Sequence, residues 1–392
     1  HIRQKSLDLA EAALNASALA LAESRTRLDV AAGSNLIREF RRSPLSNDVL
    51  NNLSSLFADV SSSISGQLSE SFVTLDEHFA NAQRLIGERD FDAATDILDT
   101  VYPEVANDAA RRDRFVSLYS EALWGKQEFA RANQGFTASA VLLRERYAVS
   151  VSFQRMADYA AMRGDTEQAA AHAVRSAALL RDQAWKLRET GEFFMRLSLP
   201  ERGIAYFERS LDVSDTLAGD ADSFSGLAEA YKRMGDRQHY IDYAREYVDA
   251  VEEIEDLGDR ITTHQDGMRH YYQAEIYLEE KKFADAYREY ETASGIIAEP
   301  YRLSDILLAM ANLKARSGET ARAEELGIRV ARLLPDQDWR LRDVGNLFLN
   351  LNEPAKALPY YEAALEHGHT LQGKAASYSS LADVYNRLGD PE

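Results

Sequence analysis

The chain contains no cysteine, which removes disulfides, thiolate metal sites and thiol nucleophiles from consideration at once. The redox compartment is therefore unmarked, with a slight lean toward the periplasm or cell envelope and the cytoplasm as the alternative. Proline and glycine are scarce, at 8 and 20 of 392 residues. Little is left for loops, and long helices joined by short turns are expected. Positive charge is in deficit, the formal net charge being -19. Nucleic acid and anionic bilayers are held by basic faces that displace counterions, so the expected partner is basic or neutral and is not a nucleic acid. The nearest thing to a basic patch, Arg111 to Arg114, reads as a solvated helix end. No run of 18 apolar residues occurs, and the first residue is His1 rather than Met. Any signal or membrane segment is expected to lie outside this chain, and no membrane insertion is expected of the chain itself.

Recognisable chemistry is also missing. The sequence holds no GxxxxGK[ST] loop, no GxGxxG after a strand, no GxSxG and no HExxH. Its closest histidine pair, His367 and His369, has no carboxylate or thiol at ligand spacing. The 64 carboxylates are spread as on any helical surface, so no pair stands out as acid and base. Neither an enzyme nor a cofactor or metal site is expected.

What the chain does have is repetition. "DQAWKLRETGEFF" from Asp182 returns as "DQDWRLRDVGNLF" from Asp336, 154 residues later. "FSGLAEAYKRMGD" from Phe224 returns as "YSSLADVYNRLGD" from Tyr378. Taking the turn between helices as a marker gives Arg89, Gln127, Gly164, Ser198, Gly235, Lys281, Gly318, Asn352 and Gly389. The steps between them are 38, 37, 34, 37, 46, 37, 34 and 37. From Gln127 the four steps 37, 34, 37 and 46 sum to 154 and then begin again at Lys281. A four-unit block at about 118–236 is thus copied without a gap at about 272–390, with Pro200 matching Pro354 and Tyr231 matching Tyr385. The long step, through "VEEIEDLGDRITTHQDG", marks the seam and predicts a lengthened helix plus a loop.

The aromatic, Leu-Ala, Tyr and Gly-Asp sequence of these stretches resembles the first helix of a tetratricopeptide repeat. The second-helix pattern A-x3-F follows at Ala132 and Phe136, Ala286 and Tyr290, and Ala357 and Tyr361, with Ala94 and Leu98 a weaker match. Small residues there let two helices approach while the aromatic fills the gap between them. Ala173 and Gly327 stand where the aromatic belongs, and Tyr240 and Ala244 exchange the large and small positions. The resemblance implies an all-α, right-handed α-solenoid over residues 76–392, about eight and a half units. The last unit stops at "GDPE", where its second helix should start. A first helix without its mate exposes an apolar stripe, so a fragment of a longer protein is expected.

Residues 1–75 do not follow the repeat. Leu7, Leu14, Leu21 and Leu28 recur every seven residues, while Val49, Leu53, Leu56, Val60, Ile64, Leu68, Phe72 and Leu75 follow in steps of three and four. With Pro44 between them, the two stretches predict a long, coiled-coil-like helical hairpin.

Groove-facing positions implied by the resemblance are Trp185, Arg188, Glu192, Met195 and Arg196, and in the copy Trp339, Arg342, Asn346, Leu349 and Asn350. Glu121, Trp124, Tyr271 and Glu275 extend the lining. A Trp and an Arg three apart share a helical face, offering indole area and a planar guanidinium fork. The competing reading packs each Trp on the preceding unit and pairs each Arg with Glu189, Glu192 or Asp343. A mixed aromatic and acidic lining suits an extended protein or peptide with basic residues, or a cationic or neutral glycan. The leading functional expectation is a non-enzymatic protein–protein interaction scaffold within a larger assembly. The alternatives are a periplasmic arm of an outer-membrane polysaccharide export or adsorption protein, which its "WRLRDVGNLFLNLNEPAKALPYYEAAL" is similar to, and a ligand-sensing helical domain of a membrane receptor.

Overall fold

The computed structural model describes residues 74–106 and 108–389. The hairpin expected over residues 1–75 lies, but for its last two positions, outside the described residues. Among the described residues all regular secondary structure is α-helical. Two compact units divide them, one ending at Asp182 and the other beginning at Gln183.

The first unit holds α1 (Leu75–Gly87), α2 (Phe91–Ala106), α3 (Ala109–Gly125), α4 (Phe129–Leu142), α5 (Arg146–Met162) and α6 (Thr166–Leu179). The second holds α7 (Ala184–Arg196), α8 (Pro200–Val213), α9 (Leu217–Met234), α10 (Arg237–Asp256), α11 (Thr263–Glu279) and α12 (Phe283–Ile296), followed by α13 (Pro300–Arg316), α14 (Thr320–Leu333), α15 (Asp338–Asn350), α16 (Pro354–His367) and α17 (Leu371–Leu388). Each odd-numbered helix from α1 to α15 pairs with the even-numbered helix that follows, α17 packs on α16, and within each unit every pair stacks on the next.

Local chemistry sets these boundaries. Thr74 with Glu77, and Thr262 with Gln265, form reciprocal capping boxes at the starts of α1 and α11. Thr216 and Thr370, one block apart, each accept from a glycine N–H, at 3.2 Å from Gly219 and 2.9 Å from Gly373. Glu145 and Glu299, likewise matched, each accept from two backbone N–H groups opening α5 and α13. Pro200, Pro300 and Pro354 occupy first helical positions, where a missing N–H costs no hydrogen bond.

The turn inside each pair is left-handed. Arg89, Gln127, Ser198, Lys281 and Asn352 have φ between 59° and 63°, and Gly164, Gly235, Gly318 and Gly389 between 76° and 81°. These are the residues whose spacing marks the period. After each of the first eight, the next N–H reaches back five residues to a carbonyl, as in Asp236 to Tyr231 at 3.0 Å and Lys282 to Tyr277 at 2.8 Å, closing the helix end in a Schellman motif. At the seam α10 runs for 20 residues, where α8, α12, α14 and α16 have 14 each. This extension and the loop through Gly258 account for the step of 46.

Packing follows the alternation of small and large residues. Ala132 with Phe136, Ala286 with Tyr290 and Ala357 with Tyr361 are all buried in the helix-pair interiors. A match not seen in the sequence is Gly203 with Phe207: a Cβ on Gly191 or Gly226 would meet the Phe207 ring at 2.7 or 2.4 Å. The ring is thus held between backbones that only glycine permits so near. Where Gly327 replaces the aromatic, Leu347 of α15 moves in, its Cδ2 2.6 Å from where a Cβ would stand. The Tyr240 and Ala244 exchange builds a tyrosine cluster, with Tyr240 edge-on to Tyr272 at 6.4 Å and Tyr247 against Tyr272 at 4.9 Å.

Candidate binding groove

In the second unit a groove of about 490 Å³ opens beside α7, α9, α11 and α13. Its lining includes the nearly buried Met195 of α7, Phe207 of α8 and Tyr247 of α10, with Ser225 and Gly226 of α9. Its walls carry charge: Glu192 and Arg196 of α7, Asp222, Glu229 and Arg233 of α9, His264 of α11 and Arg302 of α13.

Most of the charges at the deep end are committed to one another. Glu229 takes Arg302 at 3.1 Å and Arg233 at 3.0 Å. Burial works against its charge, but Arg302, Lys232 and Arg233 outweigh that and hold the carboxyl below its usual range. Arg302 also lies over the Tyr271 ring at 4.8 Å, and Arg233 donates to the Met195 carbonyl at 2.9 Å.

The shallow end is different. Glu192 makes no hydrogen bond or ion pair among the described residues, and the cation nearest Asp222 is the Arg188 Nε at 3.9 Å. Both carboxyls are reachable by solvent, yet protein on the groove walls strips away part of their water. That desolvation raises both above the usual carboxylate range. For Glu192 the neighbouring Asp222 and Glu189 add to the rise, and Arg196 and Arg188 only partly oppose it. Arg188 and His264 oppose the rise of Asp222.

The structure sorts the residues singled out in the sequence. Glu192, Met195 and Arg196 do line the groove. Arg188 and Arg342 instead join successive odd helices, donating to the Gly219 carbonyl at 3.4 Å and the Gly373 carbonyl at 3.2 Å. Arg342 also pairs with Asp338 at 2.6 Å. Trp185 and Trp339 stay 44% and 39% exposed, and Arg340 lies over the Trp339 ring at 4.2 Å. They are not core residues. Asn346 accepts the Tyr361 hydroxyl at 2.7 Å.

Tyr271 and Glu275 are corrected from groove to core. Tyr271 is 1% exposed, packed on Tyr272 and Tyr290, and its hydroxyl takes the Lys232 Nζ at 2.8 Å. Glu275 accepts from the Tyr290 hydroxyl and from Arg237 at 2.9 Å. In the first unit Glu121 forms a two-pronged pair with Arg155, at 3.2 and 2.9 Å, and Arg155 lies over the Trp124 ring at 5.2 Å. Trp124 is further wedged between Phe129 and Phe136. Among the described residues no three metal-ligating side chains gather, and no helix is long and apolar enough to cross a membrane.

No protein-family model matches the chain, and no curated protein matches its sequence. Solved structures do. The apo form of the quorum sensor NprR from B. thuringiensis is 12% identical with a TM-score of 0.52, over 81% of this chain and 95% of that one. A tetratricopeptide repeat protein from Parabacteroides merdae is 13% identical with a TM-score of 0.46, over 79% and 98%. The C-terminal part of a TPR repeat-containing protein from Cytophaga hutchinsonii is also 13% identical with a TM-score of 0.46, over 68% and 98%. The chain has the tetratricopeptide-repeat fold. Within that fold the groove is framed by the first helices of successive pairs. Asp222, His264 and Arg302 were missed in the sequence because they belong to three different pairs. For Asp222 a signal was there, since the gapless copy has Ala376 in its place.

Proposed function

We propose that the chain is a non-enzymatic interaction scaffold that receives an extended stretch of a protein partner in the groove of its second unit. The supporting observation is the groove itself: a cleft of about 490 Å³ framed by the first helices of successive pairs, with the solvent-exposed carboxyls of Glu192 and Asp222 in its lining. Such a surface favours a segment with basic or neutral side chains over an acidic one. No specific observation favours an export arm, a receptor sensor or a glycan ligand over this reading.

The test is selection of linear, N-terminally blocked dodecapeptides from a displayed random library on the whole chain. Glu192→Trp serves as a plug, placing an indole in the cleft. Selected peptides should bind the chain and lose binding to the plugged variant. An empty selection, or peptides indifferent to the plug, would sink the groove reading.

A further inference from the structure

The two copies of the repeated block fill one place differently. In the first unit the Phe153 ring of α5 lies against α6, stacked on His172 at 6.1 Å with the Arg175 guanidinium over it at 5.9 Å. One block later, on α13 and α14, Leu307 stands for Phe153, Leu326 for His172 and Arg329 for Arg175. The arginine is kept and its ring is gone. Beside Leu307 a cleft of about 240 Å³ opens between the two helices, lined by Leu303 and Leu307 of α13 and by Arg329, Arg332 and Leu333 of α14. Leu303 and Leu333 are half-buried and supply its apolar surface. A cavity of about 150 Å³ already takes a benzene, so a phenyl ring fits.

The rim of the cleft is cationic. Arg329 and Arg332, three apart, share one face of α14. Both are exposed, and neither makes a hydrogen bond or ion pair among the described residues. Glu325, one turn before Arg329, goes to Arg322 at 2.5 Å. Arg332 is peculiar to the second copy, since Ala178 stands there in the first. In a chain of net charge -19, two neighbouring guanidinium groups without an acid form a local seat for an anion.

We infer that this cleft receives the C-terminal phenylalanine of a protein partner. The phenyl ring takes the place that Phe153 takes in the first copy, and the terminal carboxylate lies between Arg329 and Arg332. The site is separate from the groove beside α7 and does not rest on it. A ring in the cleft gives Arg329 the cation–π contact that Arg175 already has. A carboxylate accepts well from planar guanidinium forks. At a chain end the ring and the carboxylate belong to one residue, so one small cleft can hold both. An internal phenylalanine brings no charge, and an internal Asp or Glu brings no ring.

The probe is the N-terminally acetylated peptide Gly-Ser-Gly-Ser-Phe with a free terminal carboxylate, titrated into the whole chain and followed by saturation-transfer NMR at its phenyl protons. Binding should saturate, weaken about tenfold when the carboxylate is made an amide, and vanish when the phenylalanine is replaced by alanine. Leu307→Phe gives the second copy the ring of the first and should abolish binding. Arg332→Ala should weaken the acid peptide about tenfold while leaving the amide unchanged, the signature of a coupled charge pair. Both substitutions borrow residues that the first copy folds with, so melting should stay close to the parent's; Arg332, exposed on the rim, carries the test even if Leu307→Phe melts early. Acid and amide peptides that bind alike, full binding to either variant, or no binding to the parent would overturn the proposal. So would binding of 3-phenylpropanoate where the peptide fails, which would assign the cleft to a small aromatic acid instead.

Discussion

At the scale of single residues, backbone sign and carboxylate burial make the sharpest statements. Ser198 and Lys281 hold φ near 60°, where a Cβ crowds the following carbonyl. Ser198→Gly should gain up to about 1 kcal/mol, less whatever the freer unfolded chain takes back. Gly318→Ala, at φ 81°, should lose about 1 kcal/mol or more; urea unfolding of the two variants beside the parent checks both signs. Glu192 gives a pH-dependent prediction. Its folded pKa is raised, so ionising it disfavours the folded state, and the penalty grows as pH rises through the carboxylate range. Glu192→Gln should therefore melt higher than the wild type at pH 7. The gap should close as the pH falls below the ordinary carboxylate pKa, and a gap that widened in acid would contradict the assigned cause.

At the scale of helices, pair geometry was legible in the sequence and groove membership only in part. Turn spacing and the A-x3-aromatic pattern locate the pairs because both are demanded by close approach. Mapping a face onto the groove assumes that every pair tilts alike. That assumption fails at the seam, where Tyr240 and Ala244 trade places and five tyrosines (240, 247, 271, 272 and 290) fill the interior. Tyr271 and Glu275 were drawn inward by that cluster, which no single-helix pattern could show. The glycine contacts are equally invisible until rings and backbones are placed. At Gly345 a Cβ would meet the Tyr361 ring at 2.6 Å, so Gly345→Ala should cost about 1–3 kcal/mol by overpacking. Trp339→Ala, at an exposed helix start, should cost well under the roughly 3–5 kcal/mol expected of Phe207→Ala in the core. Thermal melts of the two side by side test that ordering.

At the scale of the molecule, each pair packs mainly on its neighbours within its unit, the ion pairs of Arg302 with Glu229 and of Lys232 with Asp305 reaching one pair further, so damage should stay local. Tyr361→Ala should speed amide exchange in α15, α16 and α17 while leaving α11 and α12 close to their parent rates; uniform loss of protection across the second unit would show a single cooperative block instead. The same modularity bears on the duplicated ends. In the first copy Tyr243 of α10 stacks on Phe224 at 6.3 Å and on Tyr231 at 5.5 Å. Their counterparts on α17, Tyr378 and Tyr385, are 61% and 37% exposed. Gly235 and Gly389 close α9 and α17 with the same left-handed turn, so the two helices end in interchangeable sockets. Grafting residues 236–258 after Gly389 should therefore bury those tyrosines and raise the melting temperature. A segment that plugs into one socket and ends in another is a unit of heredity as much as of structure: unequal crossing-over at the socket would lengthen or shorten such a chain by whole blocks of 154 residues, each extension arriving with its joints already fitted.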